Sequence, residues 1–302
     1  MILSAEEEKI EIFRKYRARL FGIAYRMLGT REEAEDILQD AYLRWHKTDE
    51  SEIETPEAWL VTIVTRLSID RLRKASFERE TYVGPWLPEP LAVSNAPTPE
   101  EEMEFSSNLS LAFLVLLERL SPVERAVFLL HDIFDFGYAD IARVVGKTEA
   151  AARQMIHRAR ERVRANKTRF EISERERAGL IKKFSAASLA GDEKTLLSLF
   201  SDEISMISDG GGRVTAARKI IFGKNRIARL FSISGAKYGG FGREALYNIN
   251  GETGLITFYH DKIFAATTFE INDEGKISAM YRVMNPDKLK NLEESLTKNF
   301  VL

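Results

Sequence analysis

Five of the eight prolines fall between Pro85 and Pro99. Proline has no backbone N–H and holds φ at about −65°, so a cluster of them rules out a helix interior. The stretch Thr81–Glu102 carries Gly84, Pro85, Pro88, Pro90, Pro97 and Pro99 and reads as an extended linker. A second break comes near Lys167–Arg177, where a charge-dense helical pattern stops. Thirteen of the eighteen glycines lie after Lys167, so the structural class changes there. A chain of 302 residues is too long for one small core. The predicted organisation is therefore a helical module over 1–77, a Pro-rich linker over 78–107, a second helical module over 108–167 and an α+β domain over 168–302.

Composition narrows the chemistry. The content is 44% hydrophobic and 30% charged, typical of a globular chain. No apolar run reaches the roughly 20 residues of a membrane span, and the start, Met1–Ile2–Leu3–Ser4 then Glu6–Glu7–Glu8, is not a secretory leader. A cytoplasmic protein is expected. There is no cysteine, which excludes disulfides and thiol chemistry. His46, His131, His157 and His260 are scattered, so no metal site and no cofactor are expected. The net charge of −2, taken whole, says nothing in favour of nucleic acid. Its distribution is more telling: acidic residues gather in Glu6–Glu8 and Glu32–Asp40, basic ones in Arg66–Lys74 and Arg153–Arg169, and local basic stripes are what meet phosphates.

In the first module Thr30 and Glu33 have capping-box spacing, followed by Ala34, Ile37, Leu38, Ala41, Tyr42 and Trp45 on one helical face. Thr55–Pro56–Glu57 starts another helix, with Trp59, Leu60, Ile63, Val64 and Leu67 as its apolar stripe. That helix closes on Arg66, Arg71, Arg73 and Lys74. In isolation, such a cluster is simply favourable cationic charge at a helix C-terminus.

After the linker, Leu109–Leu120 reads as a buried helix and Ser121–Pro122–Val123–Glu124 as a capping box. Tyr138–Val145, Gly146 and Thr148 then form a helix-turn-helix core: a short helix, a glycine turn and the cap of a second helix. On the second helix Ala152, Ile156, Ala159 and Val163 face inward, while Glu149, Arg153, Gln154, His157, Arg158 and Arg160 lie largely off that stripe. Arg and Gln near a helix N-terminus suit base edges in a major groove. Arg162, Arg164, Lys167 and Arg169 are assigned to phosphate or solvent.

In the last domain, Ser173–Ala190 and Lys194–Phe200 read as helices, Glu203–Ser208 as a strand and Gly223–Ser234 as a further helix. Asn250–Gly251 is a hairpin turn, and Asn272–Gly275 turns between Ile263–Ile271 and Lys276–Met284. Two or three helices on a curved antiparallel sheet are expected. An enzyme would need a paired acid and base; Asp209, His260, Asp261 and Tyr281 are the candidates, but turns, a strand end and the core account for them better, no paired and spaced constellation is present, and no catalytic residue is assigned. Asp209–Gly210–Gly211–Gly212 is either a hairpin needing positive φ or a docking loop.

Residues 10–77 and 108–165 resemble the second and fourth conserved regions of extracytoplasmic-function (ECF) sigma factors. Glu35–Asp40 resembles their polymerase-binding helix. The resemblance implies that Asp36, Gln39 and Asp40 meet the β′ clamp coiled coil of core RNA polymerase, with the β flap as a second contact. It implies that Arg66, Arg71, Arg73 and Lys74 serve the −10 promoter element, and that the helix-turn-helix reads the −35 element. Thr81–Pro90, Asp209–Arg213 and Asn285–Leu289 are similar to three signatures of the group with a SnoaL-like (NTF2-like) C-terminal extension. That implies a cone-shaped regulatory domain standing in for an anti-sigma factor and touching the linker or the sigma core. Trp86, Leu87, Pro88, Asp209, Gly210, Gly211, Gly212, Asn285, Pro286, Asp287, Lys288 and Leu289 become its regulatory residues, and an unnamed small ligand could occupy the cone. Two rivals remain at this point: a ligand-sensing helix-turn-helix regulator and a cyclase-like enzyme fused to one.

Overall fold

The computed structural model describes residues 5–49, 53, 55–92, 109–164, 172–240 and 242–299. Pro97 and Pro99 of the linker, and Lys167 and Arg169, lie outside them. The described residues belong to two compact units, one drawn from Met1–Glu80, Pro97–Leu109 and Leu114–Lys167, the other from Thr81–Ala96, Ser110–Phe113 and Thr168–Leu302. No described helix is long and apolar enough to cross a membrane.

The first unit is helical: α1 (Ala5–Leu28), α2 (Arg31–Lys47), α3 (Pro56–Arg79), then the greater part of α4 (Leu111–Leu117, of which Leu111–Phe113 count with the second unit), α5 (Pro122–Asp132), α6 (Tyr138–Val145) and α7 (Glu149–Arg164). α2 buries Ala34, Ile37, Leu38, Ala41 and Trp45, the stripe expected of it. Its cap differs from expectation. Thr30 makes no backbone cap; its hydroxyl donates to the Glu33 carboxylate at 2.9 Å instead. The stripe of α3 is also rotated: Leu60, Val61, Val64, Thr65, Ser68, Ile69, Leu72 and Ala75 are buried, while Trp59, Ile63 and Leu67 are only partly so. A helix packed against two neighbours buries more than one narrow stripe. At α5 the Ser121–Glu124 capping box is closed in both directions.

Arginines stitch the two helical modules together within this unit. α1 ends at Leu28 with unpaired carbonyls, as any helix does. Arg125 donates to the Met27 carbonyl at 2.8 Å and Arg79 to that of Leu28 at 2.7 Å; both also pair with Glu118. Arg19 donates to the Phe134 carbonyl at 2.6 Å and lies over the Phe136 ring.

The second unit carries α8 (Glu174–Ala190), α9 (Glu193–Leu199), β1 (Phe200–Asp209), β2 (Ile221–Phe222), α10 (Lys224–Tyr238), β3 (Gly242–Ile249), β4 (Glu252–Tyr259), β5 (Lys262–Ile271), β6 (Ile277–Val283) and α11 (Pro286–Asn299). Among the described residues the sheet order is β2-β1-β6-β5-β4-β3. It is not wholly antiparallel as expected: β1 and β6 pair in parallel, Asp209 opposite Val283, because the chain crosses over through α10 and the β3–β5 meander before returning. Asn250 (φ 54°) and Gly251 (φ 82°) make the tight turn from β3 to β4. The helices cover one face of the sheet. Phe184 sits at the centre of that core, with Phe231 and Phe269 edge-on at 5.0 and 5.2 Å.

Candidate nucleic-acid interface and linker clasp

On α2, Asp36, Gln39 and Asp40 are all exposed, opposite the buried stripe. The α3 cations behave differently from one another. Arg73 is exposed and pairs with Asp70 one turn back; Lys74 is exposed. Arg71 bridges Glu33 at 2.8 Å and Glu78 at 3.2 Å, contacts that raise its already high pKa. Arg66 reaches α6, donating to the Val144 and Arg143 carbonyls at 2.9 and 3.0 Å. It thereby satisfies the C-terminal carbonyls of the first helix of the helix-turn-helix.

That motif has the expected geometry. α6 buries Ile141, Ala142 and Val144, and Gly146 takes the left-handed conformation (φ 64°) as its C-cap. The Thr148 hydroxyl accepts from Ala151 N at 3.2 Å. Along α7 Ala152, Ile156, Ala159 and Val163 are buried, while Glu149, Arg153, Gln154, His157 and Arg158 are exposed. Arg153 lies 4.4 Å from the Tyr138 ring centroid and pairs with Glu149, which holds it over the helix N-terminus. Arg160 stands apart from this group. It is held by Asp132 at 2.6 Å, a hydrogen bond that raises its pKa, and lies 3.0 Å from the His131 ring nitrogen. Nothing in the spacing of α7 announces this, because Asp132 comes from α5.

The second unit closes around the linker. The carboxylate of Asp209, wholly buried at the end of β1, accepts four hydrogen bonds. Its Oδ1 takes the Tyr82 hydroxyl at 2.6 Å and Gly211 N at 3.0 Å. Its Oδ2 takes Leu87 N at 2.9 Å and Lys288 Nζ at 2.7 Å. Two of the four donors belong to the linker and one to α11. Lys288 also donates to the Leu87 carbonyl and lies 4.1 Å from the Trp86 ring centroid and 5.1 Å from that of Tyr82. A buried ammonium is tolerable only with such compensation. Asn285 donates to the Tyr82 hydroxyl at 2.9 Å and caps α11 by accepting from Asp287 N at 3.1 Å. Burial first, then the bond to Asp209, raises the Tyr82 phenol above its ordinary value of 10.0, so it stays a neutral donor.

The three glycines after Asp209 each have a separate reason. A Cβ on Gly211 (φ 57°) would lie 2.3 Å from Asn285 Nδ2 and 3.0 Å from the Tyr82 hydroxyl. One on Gly212 (φ 71°) would press on Val83 at 3.1 Å, and one on Gly210 would meet Val214 O at 2.8 Å inside the loop. Two of the three therefore clear space for the linker or for α11. Arg213 and Asp287 pair on the surface at 3.2 Å.

Further along, Leu87 to Leu91 are buried. Glu89 accepts from Asn291 of α11 at 2.7 Å. Leu91 exchanges two hydrogen bonds with Asn250, through the Asn250 side chain at 2.9 Å and its backbone N–H at 2.8 Å, and Ala92 bridges Ile249. The linker thus caps the end of the edge strand β3. Pro286 begins α11 and Leu289 is buried. The sequence reading missed Tyr82, Glu89, Asn250 and Asn291 as binding residues. Tyr82 lay in plain view beside Trp86, and Asn250 was accounted for as a turn former. His260 and Asp261 form the β4–β5 turn, both at positive φ, and Tyr281 is core.

Comparison with known proteins agrees with this division. Residues 12–78 match the family described as Sigma-70 region 2, and residues 110–163 match Sigma-70, region 4. The chain is 36% identical over 291 residues to the ECF RNA polymerase sigma factor SigJ of Mycobacterium tuberculosis, covering 93% of each. It is 26% identical over 289 residues to the probable ECF RNA polymerase sigma factor SigI of the same species, covering 94% of this chain and 96% of the relative. The crystal structure of M. tuberculosis SigJ superposes with a TM-score of 0.75 at 33% identity, covering 93% of this chain and 98% of that one. The similarity thus runs through the sheet domain as well as the two sigma regions, and the chain belongs to the ECF RNA polymerase sigma factors.

Proposed function

We propose that the protein directs core RNA polymerase to −35/−10 promoters and that its C-terminal NTF2-like domain controls it in cis by holding the linker. The observation that carries this reading is the Asp209 carboxylate, whose hydrogen bonds join the linker (Tyr82, Leu87), the glycine loop (Gly211) and α11 (Lys288) at one buried point. Asp36, Gln39 and Asp40 meet the β′ clamp coiled coil, and the helix-turn-helix module works beside the β flap. Glu149, Arg153, Gln154, His157 and Arg158 read the −35 element, with Arg160 setting the pitch of their helix through Asp132. Arg71, Arg73 and Lys74 hold the backbone around a melted −10 element, whose unstacked bases are read individually.

The packing of the helical modules supports a resting state. A −35/−10 promoter spans about 25 base pairs, on the order of 85 Å at 3.4 Å per step. A compact unit of about 150 residues has a radius of gyration of about 15 Å. The two modules therefore separate before both elements are read, and the Arg66 bonds to α6 break as they do. A linker held by the C-terminal domain is not available to span them. Shifting that equilibrium needs only a few kcal/mol of differential contact.

Run-off transcription with core polymerase tests this, comparing the full chain with D209A, K288M and a truncation before Asn285. Promoter-dependent transcript that changes with these alterations is expected. No transcript from any folded form, with polymerase active on a control sigma factor, rejects the sigma assignment. Identical transcript from all forms rejects the control by the clasp.

A further inference from the structure

The core of the sheet domain contains an unfinished ionic site. Glu244 on β3 and Arg282 on β6 project from the helix-covered face, the face that also carries Phe269 and Met280 of the core. Glu244 Oε1 accepts from the Thr257 hydroxyl at 3.1 Å and the Ser185 hydroxyl on α8 lies beside the carboxylate, but Oε2 is buried without a well-formed hydrogen bond. Arg282 Nη1 is likewise buried with no partner. The two charges sense each other, yet among the described residues no ion pair joins them. Thr267 Oγ1, in register with Arg282, and Asn248 Oδ1, on the face of Glu244, are also buried and unpartnered. Folded chains rarely leave such groups orphaned, and several gathered on one face call for an absent partner. The Arg282 guanidinium lies 5.5 Å from the Phe231 ring centroid and 5.9 Å from that of Phe264. Phe264 is 39% exposed, so this end of the site reaches solvent.

We propose that Glu244 and Arg282 together bind a small carboxylic acid bearing a hydroxyl or amino group, its carboxylate on Arg282 and its second polar group on Glu244. The guanidinium offers a planar fork to a carboxylate. Phe231 and Phe264 supply the apolar walls that seat a ring or short chain beside it. Burial raises the Glu244 pKa, which suits a carboxyl that exchanges a hydrogen bond with a neutral group rather than a cation alone. This site is distinct from the linker clasp and does not depend on it. The two are nevertheless neighbours in register: Arg282 pairs with Ser208, and Val283 with Asp209.

The test uses the full chain and three probes, 4-hydroxybenzoate, 4-aminobenzoate and salicylate, with 4-hydroxybenzamide as the uncharged match, in titration calorimetry. The proposal expects saturable one-site binding of at least one acid, at least about tenfold tighter than the amide. R282M abolishes it and E244Q weakens it. Equal binding of acid and amide, undiminished binding by R282M, or binding of none of the acids overturns the proposal. A second measurement guards against a structural role. Residues kept for a ligand are poorly satisfied without it, so the E244Q/R282M double variant should melt at or above the wild-type temperature in ligand-free buffer. A clear fall shows that the pair holds the fold and also overturns the proposal.

Discussion

Replacing Asp209 by alanine removes the acceptor for four donors while leaving every one of them in place. The largest loss is at Lys288, whose ammonium would remain beside the Leu87 carbonyl and two aromatic faces with its counter-charge gone. Deleting one member of a buried ion pair costs about 3–5 kcal/mol. The orphaned Leu87 N–H and Tyr82 hydroxyl add about 1 kcal/mol or more each if they stay buried. They need not stay buried, since the linker can leave and be hydrated. The cost therefore appears as lost docking rather than as global unfolding, and about 3–5 kcal/mol lowers the docked-to-free ratio by a factor of about 100 to several thousand. Hydrogen exchange read by mass spectrometry on the 82–92 segment measures this ratio. D209A should lose protection across that segment while the β4–β5 peptides keep theirs. K288M should lose less, because Asp209 retains three neutral donors. The double variant D209A/K288M should recover part of the loss, a coupling of 1 kcal/mol or more. Unchanged protection in D209A, or strictly additive losses, would refute the view that this buried pair holds the linker.

Other outcomes follow from the same geometry. Gly211→Ala puts a Cβ against the Asn285 amide at positive φ, so it should raise linker exchange while shifting the melting temperature little. Asp36→Ala with Asp40→Ala should abolish core-polymerase binding in a pull-down while altering stability by no more than about 0.5 kcal/mol, because both residues are exposed. Arg153→Ala or Gln154→Ala should each cost about 1–3 kcal/mol of discrimination at one −35 base pair in a holoenzyme binding assay, whereas Arg160→Ala should weaken all −35 sequences alike by freeing α7 from Asp132. The Glu244 carboxyl is raised above its ordinary 4.5 by burial, so the folded state holds that proton more tightly than the unfolded one. Its contribution to stability is therefore full below pH 4.5 and lost as pH climbs through the raised value; compared with E244Q in melts, wild type should decline across that window.

Much of this was legible in the sequence because it was written locally. The helix-turn-helix depends on Gly146, Thr148 and one apolar stripe, all within some twenty-five residues. The Asn250–Gly251 turn and the Ser121 capping box are local as well, and each stands where its spacing placed it. What could not be read is long-range. Arg160 meets Asp132 across 28 positions and Arg66 meets Val144 across 78, and no periodicity carries such pairings. Thr30 had the spacing of a cap, yet its hydroxyl turned to the Glu33 side chain, a choice among near-equal local bonds. The parallel β1–β6 pair was missed because strand direction is set by the crossover. At the clasp the glycine loop and the Asn285–Leu289 segment stood out as motifs, while their meeting at one carboxylate did not.

The linker and the domain that grips it are parts of one polypeptide, joined 1:1 at synthesis. A separate inhibitor must be made in excess, and its effect drifts with the copy numbers of two genes. Here the dose of regulator cannot drift, and dilution by growth changes nothing. On the reading proposed above, control is confined to quality rather than quantity: a signal acts by altering how tightly the linker is held, never by altering how much holder there is.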